Sequence, residues 1–262
     1  MDTSKLRIVV FAAACATAIP VQAVQSCRAA SSPQTLPLVE LYTSEGCDSC
    51  PPADRWLSKR FPAADTHGRA LAIAFHVDYW DRLGWADRFA SAANTERQYA
   101  AMRANAATFV YTPQVLLQGH DLRDWAGSDA AVERATRAPA RASIAVDATI
   151  TGDTVVVDVD ANVADAAARG DAQVFVAYAD SGLQSDVRAG ENRGKRLQHD
   201  HVVRALQAAD TGSGGQGRTR ARFEFRKPRE AGVAPTLVAF VQRRSNGDVL
   251  QAVGVPLAGC GV

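Results

Sequence analysis

The sequence predicts an α/β domain with a central sheet over residues 37–138, followed by an all-β, sandwich-like domain over 141–258. Two changes of pattern and the chain length carry this reading. Up to about residue 138, short apolar runs alternate with stretches of helical period, as in a layered α/β unit. Beyond Pro139 a period of two takes over, clearest at Ile144, Val146, Ala148 and Ile150, and marks half-buried strands. A chain of 262 residues is long enough for one large or two ordinary hydrophobic cores.

The first 23 residues read as an export signal. Lys5 and Arg7 give a positive start, residues 8–19 are apolar, and Val21-Gln22-Ala23 supplies small residues around a cleavage point. That apolar run is shorter than the roughly 20 residues a spanning helix needs, so no membrane span is expected after cleavage. The expected product is a periplasmic or secreted protein with an N-terminal arm over 24–36. Lys and Arg number 29 against 28 Asp and Glu, and losing Asp2, Lys5 and Arg7 leaves the mature chain close to neutral. Such a chain has no long-range attraction for nucleic acid or anionic lipid. The cysteines outside the signal are Cys27, Cys47, Cys50 and Cys260, an even set that fits two bridges in an oxidising compartment.

Within the α/β part, 38–42 reads as a strand, 51–61 as a helix, 71–77 as a strand buried on both faces and 91–107 as a helix. Residues 114–117 form a further strand, Gly119-His120-Asp121 turns into a short return strand, and Ser128 caps a last helix. In the β part, alternation continues through Val155, Val157 and Val159, through Val174, Val176 and Tyr178, and through Phe223 and Phe225. Asn246-Gly247 between 236–242 and 249–255 is a strong hairpin signal. The glycine-rich stretch 211–218 reads as a loop, and 259–262 as a C-terminal tail.

The chemistry concentrates at Cys47-Asp48-Ser49-Cys50, which lies between a strand and a helix. A cysteine at a helix start sits near unpaired N–H groups and the positive end of the helix dipole, which favour its thiolate. Cys47 is therefore the candidate nucleophile. Cys50, about one turn on, is the candidate resolving thiol, and Pro51 and Pro52 fit early helix positions where no intrahelical N–H bond is lost. Asp48 opposes thiolate formation by its charge and leaves the redox poise open. About sixty residues on, Tyr111-Thr112-Pro113-Gln114 places a proline directly before an apolar strand. Thr112 and Pro113 resemble the cis-proline loop that faces C-x-x-C in thioredoxin-like proteins, so Pro113 is expected to be cis and to align an extended substrate peptide.

Strand and motif VELYTSEGCDSC look like the first strand and active-site loop of glutaredoxins and thioredoxins. More closely, VELYTSEGCDSCPPAD, AFHVDYWDRLGWADRFAS, VYTPQ and AGENRGKRLQHDHVVRAL together are similar to the exported bacterial domain of unknown function 1223 family. The resemblance spans both proposed domains and implies export and a thioredoxin-like fold for the α/β part. Glu40 lies seven positions before Cys47, where thioredoxin has its buried acid at six, and is expected to face solvent or the sheet edge.

His76 and Asp78 leave the end of the 71–77 strand on one side by alternation and form a candidate proton relay near Cys47. A buried, hydrogen-bonded histidine with no chemical role is the competing reading. Trp80 and Trp85 either wall a substrate groove or belong to the core. His199 and His201 share a strand face, but two ligands fall short of the three or four that zinc takes, so no metal is expected there and a solvated loop or strand end is. Ala189-Gly190-Glu191-Asn192-Arg193-Gly194 lacks phosphate-loop spacing and gives no nucleotide site, and the sequence calls for no cofactor. Cys27 and Cys260 are expected to form a structural disulfide.

The leading expectation is an exported thiol–disulfide oxidoreductase acting on protein dithiols or disulfides, or on a redox partner protein. Two alternatives stand beside it. One is a Cu(I)-binding module built on Cys47, Cys50 and His76, because thiolates select that ion. The other is a structural protein with a permanently closed Cys47–Cys50 bridge.

Overall fold

The computed structural model describes residues 24–63, 65–66, 68–211 and 217–260. The expected export signal over 1–23 lies outside the described residues, as does most of the glycine-rich stretch, 212–216. The first half runs β1 (Val24–Ala30), β2 (Leu38–Thr43), α1 (Pro51–Arg60), β3 (Leu71–His76), a 3-10 turn (Asp81–Leu83), α2 (Ala92–Ala104), β4 (Gln114–Leu117), β5 (His120–Asp121) and α3 (Asp129–Arg137). The second half runs β6 (Ala142–Thr151), β7 (Thr154–Val163), β8 (Ala172–Asp180), β9 (Leu183–Asp186), β10 (Arg196–His199), β11 (Val202–Asp210), β12 (Arg218–Arg226), β13 (Thr236–Arg243) and β14 (Val249–Pro256).

These strands form three sheets, and their membership corrects the expected fold class. An eight-stranded sheet has the order β14-β13-β8-β11-β3-β2-β4-β5, a four-stranded sheet β1-β6-β7-β12, and β9 pairs with β10 alone. The structure is predominantly β, with three α-helices among the described residues, and does not fit an α/β thioredoxin-like domain followed by a separate sandwich. The physical reason lies at β3. Its one edge pairs in parallel with β2, as an α/β unit requires, but its other edge is taken by β11, with Val202 opposite Ala74. Strands from both halves thus share one continuous sheet. Side-chain periodicity reports which face of a strand is buried and carries no information on which strand lies at its edge.

Burial follows from this arrangement. β2 and β3 are buried at every position, as a strand covered on both faces must be. The four-stranded sheet keeps the alternation read from sequence, with Ile144, Val146, Ala148 and Ile150 buried beside exposed or half-buried neighbours. Its inner face packs on β8, β13 and β14 through Val155, Val157, Tyr178, Leu237, Ala239 and Leu250. The arm expected over 24–36 contributes β1, which lies antiparallel on β6 from Val24–Thr151 to Ala30–Ala145. On the other face of the large sheet, α1 buries Ala53 and Leu57 against Val39, Leu41 and Ala72. β13 and β14 form the hairpin around Asn246-Gly247, where Gly247 takes a positive φ of 76° that a side chain would strain.

Candidate functional site

The site forms where β2 and β3 end and α1 begins. Cys50 is the N-cap of α1, with Pro51 and Pro52 in the first turn. The Cys50 carbonyl accepts from the N–H groups of Ala53 at 2.9 Å and Asp54 at 3.1 Å, which fixes the start of the helix. Cys47 and Cys50 are joined by a disulfide, their Cα atoms 5.5 Å apart. Both cysteines are fully buried, whereas Asp48 and Ser49 between them are exposed. The Thr112–Pro113 bond is cis, and the Thr112 carbonyl lies 3.8 Å from the Cys47 sulfur. Ser49 Oγ is 3.2 Å from that sulfur. Trp80 fixes the proline loop through Nε1, which donates to Thr112 Oγ1 at 2.8 Å.

Under the disulfide loop lies a buried ionic cluster. His76 Nδ1 is 2.6 Å from Asp87 Oδ2, with both side chains withdrawn from solvent. Burial pushes His76 down, but the charge and hydrogen bond of Asp87, with the charges of Asp54 and Glu45, push harder, so its pKa is raised. Burial pushes Asp87 up, and the charge and hydrogen bond of His76 with the N–H groups of Glu45 and Phe89 outweigh it, so its pKa is lowered. His199 Nε2 lies 3.1 Å from Glu45 Oε1, and Trp85 Nε1 donates to Glu45 Oε2 at 2.7 Å. These bonds hold Glu45 below the usual carboxylate range against the opposing effect of burial. The His76 and His199 rings meet edge to face, 4.9 Å between centroids. Asp54, one turn after Cys50, is buried, and burial raises its pKa although His199 and His76 oppose it.

The β9–β10 loop covers this arrangement. Asn192, fully buried, donates through Nδ2 to the Glu45 carbonyl at 2.9 Å and the Cys47 carbonyl at 2.7 Å. Its Oδ1 accepts from Lys195 Nζ at 2.8 Å. Glu191 Oε2 accepts from the Asp48 N–H at 3.1 Å. The stretch that gave no nucleotide site in the sequence is therefore the clamp on the C-x-x-C loop.

The structure brings Cys47, Cys50 and Thr112 together and links His76 to the C-x-x-C loop through Asp87, which also accepts the Glu45 N–H, but it does not pair His76 with Asp78. Asp78 Oδ1 instead accepts from Thr95 Oγ1 at 2.6 Å. β3 ends at His76, so strand alternation no longer governs Asp78. Glu40 also departs from expectation. β2 is interior to the large sheet, and Glu40 is buried with Arg97, Nη2 to Oε2 2.7 Å. His199 and His201, expected at a solvated strand end, are both buried, with His201 Nε2 2.6 Å from the Phe61 carbonyl. Among the described residues no group of three or more His, Cys, Asp or Glu is arranged to hold a metal ion. Asp87, Glu45, His199, Asn192 and Asp54 were not singled out from sequence for this site. Each sits inside one of the four quoted motifs, which was the available signal.

Cys27 and Cys260 form the second disulfide, with Cα atoms 5.1 Å apart. No helix among the described residues is long and apolar enough to cross a membrane.

A crystal structure of a protein from Agrobacterium tumefaciens is 26% identical, with a TM-score of 0.55 over 86% of this chain and 96% of that one. HBP35 of Porphyromonas gingivalis matches with a TM-score of 0.64 over 87% of this chain and 77% of that one; at 13% identity this likeness concerns the fold alone. No curated protein matches. The family profile described as a protein of unknown function, DUF1223, matches residues 38–242, and the chain belongs to that family.

Proposed function

We propose that the protein is an exported thiol–disulfide oxidoreductase that works through Cys47 and Cys50. The observation that carries this reading is a disulfide at the start of α1 with the Thr112 carbonyl 3.8 Å from the Cys47 sulfur. Two disulfides and the sequence-predicted signal support export.

In the reduced protein the Cys47 thiolate attacks a substrate disulfide, forming a mixed disulfide and releasing one substrate thiolate. Cys50 then attacks the Cys47 sulfur, closes the Cys47–Cys50 bond and releases the second thiolate. Two electrons pass to the substrate, and the protons of the two protein thiols end on the substrate thiols. The reverse sequence oxidises a substrate dithiol. Thr112 and Pro113 position the incoming chain, and access to the buried Cys47 runs past exposed Ser49. Cys47→Ser is expected to abolish exchange with a disulfide peptide while circular dichroism stays native, and Cys50→Ser to accumulate a mixed disulfide. Undiminished exchange in Cys47→Ser overturns the assignment.

The complete burial of both cysteines and the Asn192 clamp favour a second reading, a permanently closed structural bridge. The reduction potential separates the two. Exchange catalysts span about −270 to −120 mV, and structural disulfides lie below about −300 mV.

A further inference from the structure

Beside the disulfide, α1 and β10 flank a groove of about 640 Å³, continued by a hollow of about 210 Å³, and both are lined by Arg55 and Gln198. Pro52 lines the groove and Pro51 the hollow, so both lie at the N-terminal end of α1 that Cys50 caps. Arg55 and Lys59 are exposed and one turn apart on α1, so they share a face. Neither has an ion-pair or hydrogen-bond partner among the described residues, unlike Arg60, held by Asp129, and Arg196, held by Asp186. The acids lining the groove are Asp54, which is buried, and Asp200, whose Oδ1 already accepts the Gly182 N–H.

On the other side of the C-x-x-C loop Asp48 and Glu191 are exposed at their contact, with the exposed Arg193 and Lys195 of the same loop beside Glu191. Unpaired cations thus line α1, whereas exposed charges of both signs stand around the Asp48–Glu191 contact. β10 pairs with β9 alone among the described residues and lies against α1, so the groove runs between a strand and a helix.

We infer that this groove receives an extended, acidic polypeptide segment next to the substrate cysteine, with carboxylates against Arg55 and Lys59. The inference rests on the oxidoreductase reading for its substrate, and the two unpaired cations supply the charge complementarity that selects an acidic chain. The test is binding to the oxidised full chain, which requires no exchange. A fluorescent peptide with an alkylated cysteine followed by three glutamates is compared with its three-lysine counterpart, by anisotropy at low and high salt. The glutamate peptide is expected to bind at least about tenfold tighter at low salt, with the preference shrinking at high salt. R55E/K59E is expected to reverse the preference, and R55Q/K59Q, the milder pair, to abolish it. Equal affinity of the wild type for both peptides overturns the inference, as does an unchanged preference in either folded variant. Exchange of the wild-type chain with dithiothreitol, which has no flanking residues, reports on the redox reading separately. Its absence sinks that reading, and the peptide comparison still decides the groove.

Discussion

His76 and Asp87 sit 2.6 Å apart with both side chains withdrawn from solvent, so each charge depends on the other. Removing one member of such a pair costs about 3 to 5 kcal/mol, because the remaining charge stays buried. The pH dependence has two limbs. His76 is raised, so its contribution is complete below its ordinary pKa of about 6.5 and is lost as pH climbs through the raised value. Asp87 is lowered, so its contribution is complete above about 3.9 and is lost as pH falls through the lowered value. Denaturant midpoints of wild type and His76→Gln should therefore differ most between about pH 4 and 6.5 and converge toward alkaline pH. A constant gap from pH 5 to 9 would mean that the pair is not ionic. Sequence singled out His76 because a histidine at the end of an apolar strand is conspicuous. It did not find Asp87, which is brought in by a loop eleven residues on, and it turned Glu40 to solvent or the sheet edge on its spacing to Cys47, because Arg97, which pairs with it from α2, has no local signature.

Among the elements, the β9–β10 loop holds the C-x-x-C loop through two side chains, Glu191 on the Asp48 N–H and Asn192 on two carbonyls. Asn192→Ala removes both donors to the Glu45 and Cys47 carbonyls and leaves Lys195 without its acceptor. Leaving buried polar groups unpaired costs about 1 to 3 kcal/mol. The expected result is a lower melting temperature together with faster reduction of Cys47–Cys50 by a phosphine, since the loop over the sulfurs is released. Wild-type rates of reduction in this variant would mean that the clamp does not limit access. Elements with a local cause were legible. α1 follows from Pro51, Pro52 and its apolar spacing, α2 from the helical period over 91–107, and the β13–β14 hairpin from Asn246-Gly247. The clamp was not legible as such, because its stretch was read only against phosphate-loop spacing and the Cys47 carbonyl it serves lies 145 residues away.

For the whole molecule, the unread feature was the joining of both halves into one sheet, which no local pattern specifies. The first and last described strands also come together. β1 is an edge strand of the four-stranded sheet, and β14 is an edge strand of the eight-stranded sheet packed against it. Cys27 on β1 and Cys260 just after β14 link these two edges across a sequence separation of 233. Cys27 packs half-buried against the inter-sheet core, and Cys260 is buried within it. The bridge closes nearly the entire described chain into a loop, so its effect falls chiefly on the unfolded ensemble. The chain-entropy argument gives its largest values for such long loops, and native bridges typically contribute about 2 to 5 kcal/mol. Cys27→Ala/Cys260→Ala should lower the denaturant midpoint accordingly. The slope of the transition should grow, because the unbridged chain exposes more surface when it unfolds. Cys47–Cys50 belongs to a different part of the large sheet, and its reduction potential should stay at the wild-type value in this variant. A shifted potential would show that the two bridges exchange or that the inter-sheet core supports the site. An unchanged midpoint would show that β1 pairing on β6 and the inter-sheet core hold the termini without covalent help.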